Sequence, residues 1–154
     1  MFKEHPEMKG NIFDLPQMPK TIENCIQEYG LEDRIEIISG DYINDYIGEG
    51  YDFIMSIGSL NFAKEKMDII IKKIFAALNP GGVFMCISDG ITHENTGPKE
   101  IIVSWLPNQL KGCDYGLKQG EVSEAALRAV FTSVYKQTVN MFKGLMDVDI
   151  ARKM

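Results

Sequence analysis

The spacing of apolar positions along this chain switches between about 2 and about 3.6 residues, so strands alternate with helices. Asn11-Ile12-Phe13-Asp14 is a short strand candidate that ends in a carboxylate, with Leu15-Pro16 and Pro19 as punctuation. A helix is predicted from about Lys20 to Tyr29: Ile22, Cys25 and Ile26 share one face, and Gly30 stops it. Arg34 to Ser39 is a β-rich run before Gly40-Asp41-Tyr42, and residues 43–50 read as a polar loop. Tyr51 to Ile57 is apolar on both faces, as parallel strands are. Lys64 to Leu78 predicts a strong helix, with Met67, Ile70, Ile71, Ile74, Phe75 and Leu78 in one stripe and Asn79-Pro80-Gly81-Gly82 as its stop. Val83 to Asp89 is a further buried strand that ends in a carboxylate. A weaker helix covers about residues 99–111, and Ser123 is placed to cap a short helix running to Val130. Thr132 to Val139 and Val148 to Arg152 read as two strands of an antiparallel hairpin around Gly144. The order β-α-β-β-α-β-α-α-β-β implies an α/β sheet, parallel first and antiparallel at its end.

The 154 residues are one domain's worth, and 45% apolar content is enough for a buried core. Sixteen basic against 22 acidic residues give a net charge of −6, which argues against a general nucleic-acid binder. A small or neutral partner fits better. No apolar run approaches the ~20 residues that span a bilayer. The first residues, Met1 to Pro6, lack the apolar core of a signal peptide. Cys25, Cys86 and Cys113 are odd in number and far apart, which suits reduced thiols in a cytoplasmic protein.

Candidate chemistry gathers at strand ends, where open α/β sheets bind ligands. Asp14, Asp41 and Asp89 each follow a strand. A carboxylate there can accept from ribose hydroxyls, and Asp41 beside Tyr42 suits an adenine. The plainer reading of each acid is a cap on the turn that follows. Gly48-Glu49-Gly50 precedes a strand and lacks a third glycine, so it reads as a turn. His93, in Thr92-His93-Glu94-Asn95, is either a base or an exposed loop residue. No cluster has zinc spacing, and no metal is expected. Met55, Met67 and Met85 fall in strand or helix stripes and read as core. Trp105 with Leu106 either lines a substrate pocket or packs the late helix.

Together, Phe13-Asp14-Leu15-Pro16, Gly40-Asp41-Tyr42, Tyr51-Asp52-Phe53-Ile54, Leu78-Asn79-Pro80-Gly81-Gly82 and the acid-ended strand at Asp89 resemble class I S-adenosylmethionine-dependent methyltransferases. Within that superfamily the chain is similar to small-molecule O-methyltransferases of the acetylserotonin, hydroxyneurosporene and plant phenolic type, from about His5 to Lys153. The resemblance implies a Rossmann-like α/β fold, S-adenosylmethionine as cofactor, S-adenosylhomocysteine as product, and a small hydroxylated acceptor. It implies that Asp14 holds the ribose hydroxyls, with Leu15 beside the adenosine. It implies that Asp41, after Gly40, meets the adenine amino group, with Tyr42 flanking the ring. Ser56, Ile57 and Gly58 would line the methionine side, and Asp89 and the Trp105 region would face the acceptor.

Two departures from the family stand out. The position of its histidine base corresponds to Asn61, and an amide cannot take a proton from a phenol at neutral pH. Asp89 or His93 is the candidate substitute. The strand and Gly-rich loop that open the family's domain have no counterpart here, nor does its N-terminal helical region, so the chain resembles the C-terminal part of a longer enzyme. The expectation is a single truncated catalytic domain with weakened cofactor affinity and impaired turnover. It would either pair residues 11–14 with residues 51–57 or take a strand from another chain, as a homo-oligomer or with a complementing chain. The competing reading is a non-catalytic fragment or pseudoenzyme that works only in such an assembly.

Overall fold

The structure, a computed structural model, describes residues 2–17, 19–141 and 144–154. The chain divides into two compact units, Met1–Ile47 and Gly48–Met154.

The first unit is a β-α-β turn of chain. Strand β1 (Gly10–Asp14) is followed by helix α1 (Pro19–Glu28) and strand β2 (Ile35–Ser39). The strands pair in parallel from Gly10↔Ile35 to Asp14↔Ser39, so both end at the same edge. Arg34 holds the preceding segment against β2. Its guanidinium donates to the carbonyls of His5 (2.6 Å) and Phe2 (3.2 Å), its Nε donates to that of Met8 (3.0 Å), and the group lies over the Phe2 ring. Among the described residues of this unit only Ile26 and Gly40 are fully buried.

The second unit holds the main core. Strand β3 (Tyr51–Ile57) leads through a 3-10 helix (Leu60–Lys66) into α2 (Met67–Ala77) and then β4 (Leu78–Asp89). Helices α3 (Lys99–Gln109) and α4 (Glu121–Arg128) precede the hairpin β5 (Ser133–Met141) and β6 (Gly144–Arg152). The sheet order is β3-β4-β6-β5, with β3 parallel to β4 and the other two ladders antiparallel. Met67, Ile70, Ile71 and Ile74 of α2 are buried, as are Phe84 and Cys86 of β4 and Val122, Ala125 and Ala126 of α4. Arg128 joins the two helices through Asp68 at 2.8 Å, which lowers the Asp68 pKa.

The element order matches the sequence pattern, and the differences have local causes. The helix expected over Lys64 to Leu78 begins as a 3-10 segment. A three-residue turn stacks Leu60 on Ala63, and both are buried. Asn79-Pro80-Gly81-Gly82 ends α2 but lies within β4. Gly81 takes φ 81°, and the β3–β4 register shifts between Tyr51 and Phe53. Ser123 does not cap α4. Gly120 holds the cap position at φ 86°, while the Ser123 hydroxyl donates to Asp149.

The largest correction concerns the sheet. Residues 11–14 do not pair with residues 51–57: β1 pairs only with β2, and β3 only with β4. Strand β3 is therefore an edge. Phe53, Met55 and Ile57, successive residues of one face, are 37%, 47% and 54% exposed. The expected burial on both faces is absent because β3 has a neighbour on one side alone, and Met55 is not core. Met67 is buried and Met85 half-buried.

Candidate functional site

In the first unit the parallel register brings the ends of β1 and β2 together, and the Gly40 N–H donates to the Asp14 carbonyl at 2.9 Å. Gly40 is required by packing: a Cβ there would lie 2.8 Å from the Phe13 ring. The Leu15 N–H donates to Asp14 Oδ1 at 2.7 Å, and the Leu15 side chain is exposed. Asp41 caps its own turn. Its Oδ1 accepts from the Ile43 N–H at 2.9 Å and its Oδ2 from Asn44 Nδ2 at 2.6 Å. Asp45 completes the turn by accepting from the Asp41 N–H at 2.7 Å. Tyr42 is half-buried, and its phenol pKa is raised by burial and by the charge of Asp41.

This edge can accept hydrogen bonds from a diol or an aryl amine. A carboxylate oxygen has two lone pairs. Each Asp41 oxygen therefore retains one beyond its turn bond, and Asp14 keeps most of its capacity. These residues fit the sugar and base of a nucleoside. The capping role and the binding role of Asp41 are compatible, because the turn bonds aim the carboxylate.

In the second unit, β3 and β4 also end side by side, with Ile57 opposite Ile87 and the Gly58 N–H donating to the Ile87 carbonyl at 2.9 Å. Gly58 takes φ 64°, a left-handed conformation that glycine adopts without penalty. Ser56 pairs across to Cys86, and its Oγ is buried without a hydrogen-bond partner among the described residues. The Cys86 thiol pKa is raised by burial and by Asp149.

Beyond these ends lies a polar and aromatic cluster. Asn61, 1% exposed, donates from Nδ2 to Asp89 Oδ2 at 2.6 Å and to the Tyr115 carbonyl at 2.8 Å. Asp89 Oδ2 also accepts from Trp105 Nε1 at 2.7 Å and from the Leu117 N–H at 3.4 Å. Phe62, Trp105 and Tyr115 stand around it, with ring centroids 5.2 to 6.2 Å apart. The strand bridge Ile91↔Lys118 lays residues 115–118 beside the end of β4. Lys64 fixes the same segment, donating to Asp114 at 2.8 Å and to the Gly116 carbonyl at 2.6 Å. A cavity of about 420 Å³ opens beside this segment, lined in part by Lys64, Ile91, Ile102 and Lys118.

The structure thus joins Asn61 and Asp89 directly and adds Trp105 to both of its proposed roles, as helix packing and as part of the cluster. His93 is not brought in. Its side chain is exposed, and its carbonyl accepts from Lys118 at 3.3 Å. Tyr115, which the sequence reading did not single out, lies in a segment with no periodic signal. A second buried group also escaped it. Asp147 and Asp149 on β6 face α4, where Asp147 accepts from Thr138 Oγ1 (2.8 Å), Lys136 Nζ (3.1 Å) and the Gly120 N–H (3.3 Å). The Asp149 pKa is raised by burial, with the charge of Asp147 adding to it. Among the described residues no cluster suits a metal ion, and no helix is long and apolar enough to cross a membrane.

The family model of the O-methyltransferase domain matches residues 1–104. The L-tyrosine C(3)-methyltransferase of Streptomyces lavendulae is 30% identical over 95 residues, which is 61% of this chain and 26% of that protein. An O-methyltransferase family protein from Burkholderia thailandensis superposes with a TM-score of 0.82 at 16% identity, over 99% of this chain and 46% of that one. The structure of PigF with SAH gives 0.76 at 23% identity, over 99% and 45%. These likenesses show that the chain has the mixed α/β fold of class I methyltransferases. It spans about a quarter of the curated relative and under half of the solved structures.

Proposed function

The chain belongs to the O-methyltransferase domain family, and we propose that it carries the adenosine-side and acceptor-side groups of an S-adenosylmethionine-dependent O-methyltransferase acting on a small hydroxylated molecule. The observation that carries this reading is the shared edge of β1 and β2, where Asp14, Gly40, Asp41 and Tyr42 come together. Asp14 holds the ribose hydroxyls beside Leu15, and Asp41 accepts from the adenine amine with Tyr42 along the ring. Ser56, Ile57 and Gly58 line the methionine side. Asn61 and Asp89 position the acceptor, and His93 has no part. When bound, the cofactor supplies an electrophilic methyl group. The residues of this chain contribute binding and orientation, which can account for much of such a rate. The two units act as parts of one catalytic domain, a reading supported by a family match that runs across their boundary. The spaced thiols fit a reducing cytoplasm.

The test is equilibrium binding of S-adenosylhomocysteine by calorimetry, with Asp14→Ala and Asp41→Ala. Each loses a charge-assisted hydrogen bond, so each weakens binding roughly tenfold or more. An absence of binding at millimolar ligand, or binding untouched by both substitutions, sinks the reading.

A second reading is favoured by the exposed apolar face of β3. In it the chain acts by assembly, taking a partner chain's strand along that edge, with or without catalysis of its own. The mass of the chain in solution decides: a monomer at every concentration tested excludes self-assembly.

A further inference from the structure

We propose that the acceptor oxygen of this site is one already ionised at neutral pH, an acidic hydroxyl rather than an ordinary phenol or alcohol. This rests on the methyltransferase reading above and deepens it. The argument is an inventory of proton acceptors around Asn61.

Both N–H bonds of the Asn61 amide are spent, one on Asp89 Oδ2 at 2.6 Å and one on the Tyr115 carbonyl at 2.8 Å. That fixes the amide's orientation and leaves its oxygen as the group it can present. An amide oxygen accepts a hydrogen bond from a hydroxyl but does not keep the proton at neutral pH. Asp89 is the carboxylate of the cluster, and its Oδ2 takes three N–H donors, from Asn61, Trp105 and Leu117. It serves as a positioning residue that holds the amide and the indole in place. The other ionisable groups nearby are committed. Lys64 is paired with Asp114. The Tyr115 phenol pKa is raised by its hydrogen bond to Cys113, by the charge of Cys113 and by that of Glu65. His93 is exposed in its loop, with no contact to the cluster among the described residues.

Phe62, Trp105 and Tyr115 offer aromatic surface beside the amide oxygen for a flat acceptor. An ionised oxygen uses a lone pair to form the new C–O bond as the C–S bond of a sulfonium donor breaks, with that electron pair remaining on sulfur. An anion and a cation become two neutral products, and no proton is left to place. A neutral hydroxyl would leave a proton with no group to receive it. General-base assistance is worth about 10²–10⁴-fold, so its lack selects strongly among acceptors by acidity.

The experiment uses the purified chain, 4-nitrophenol and phenol, and reads three things. Calorimetry with S-adenosylhomocysteine tests the underlying reading separately. Methyl transfer at pH 7 is expected to be about a hundredfold or more faster to 4-nitrophenol than to phenol, and Asn61→His is expected to narrow that gap. The absorbance of bound 4-nitrophenol reports its ionisation without turnover. In the unsubstituted chain it follows the pH of the solution, and in Asn61→His the anion persists to lower pH. Equal rates on the two acceptors, or an anion formed on the unsubstituted chain where free 4-nitrophenol is neutral, overturns the inference. So does transfer to neither acceptor by a chain that binds S-adenosylhomocysteine, with the cofactor reading left standing. A chain that fails to bind S-adenosylhomocysteine overturns both.

Discussion

Val130 ends α4 with φ 63°, and its side chain is 71% exposed. A β-branched residue in the left-handed region is strained, at about 1–2 kcal/mol, and recovers little by burial here. Its place immediately after the helix is one where glycine is the usual occupant. The substitution Val130→Gly is expected to stabilise the protein by about 1 kcal/mol, seen as a higher melting temperature with unchanged ligand binding. An unchanged or lower melting temperature would show that the Val130 conformation is not strained. The same scale explains why Asp41 supports two readings. Its turn bonds to Ile43 and Asn44 are the capping role that its sequence position implies, and they orient the carboxylate for a ligand.

Among the elements, β3 is the exposed one. A strand in a parallel pair ordinarily has apolar cover on both faces and a neighbour on both edges. Here β4 pairs one edge, and Phe53, Met55 and Ile57 face solvent. Such an edge is a template for another strand. If strand addition occurs there, Ile57→Lys places a charge in the contact and shifts the chain toward monomer, as light scattering across a concentration series would record. The same oligomer distribution in both proteins would place the contact elsewhere. Helix α4 shows the opposite case. Its seat on the sheet is polar, through Ser123 to Asp149 and the Gly120 N–H to Asp147.

For the whole molecule, the two units differ in how much they bury. The second has a four-stranded sheet covered by α2 and α4, with Ile71, Phe84 and Leu117 fully enclosed. The first has two paired strands and one helix, with Ile26 and Gly40 its fully buried residues among those described. Two strands and a short helix are marginal in water. Amide hydrogen exchange is therefore expected to be at least about tenfold faster in β1, β2 and α1 than in β4 and β6. Equal protection would mean that the units open together. A ligand held by Asp14 and Asp41 should slow exchange in the first unit by mass action.

The sequence by itself determined the element order, the family and the strand ends that carry Asp14, Asp41 and Asp89. Periodicity and glycine or proline stops are local properties, and those residues report them directly. It placed Asn61 where a histidine was expected, but not what Asn61 touches. The contacts of Asn61 with Asp89 and Tyr115 join residues 28 and 54 positions apart, and no local pattern encodes them. Asp147-Val148-Asp149 misleads for a related reason: alternating acids imply a solvent face, whereas α4 covers them. Burial of β3 also looked settled by its composition, but a strand's burial depends on its neighbours. Only the tertiary structure decided which edges are paired, which charges are enclosed and which donors converge on Asp89, because each is set by chain segments distant in sequence.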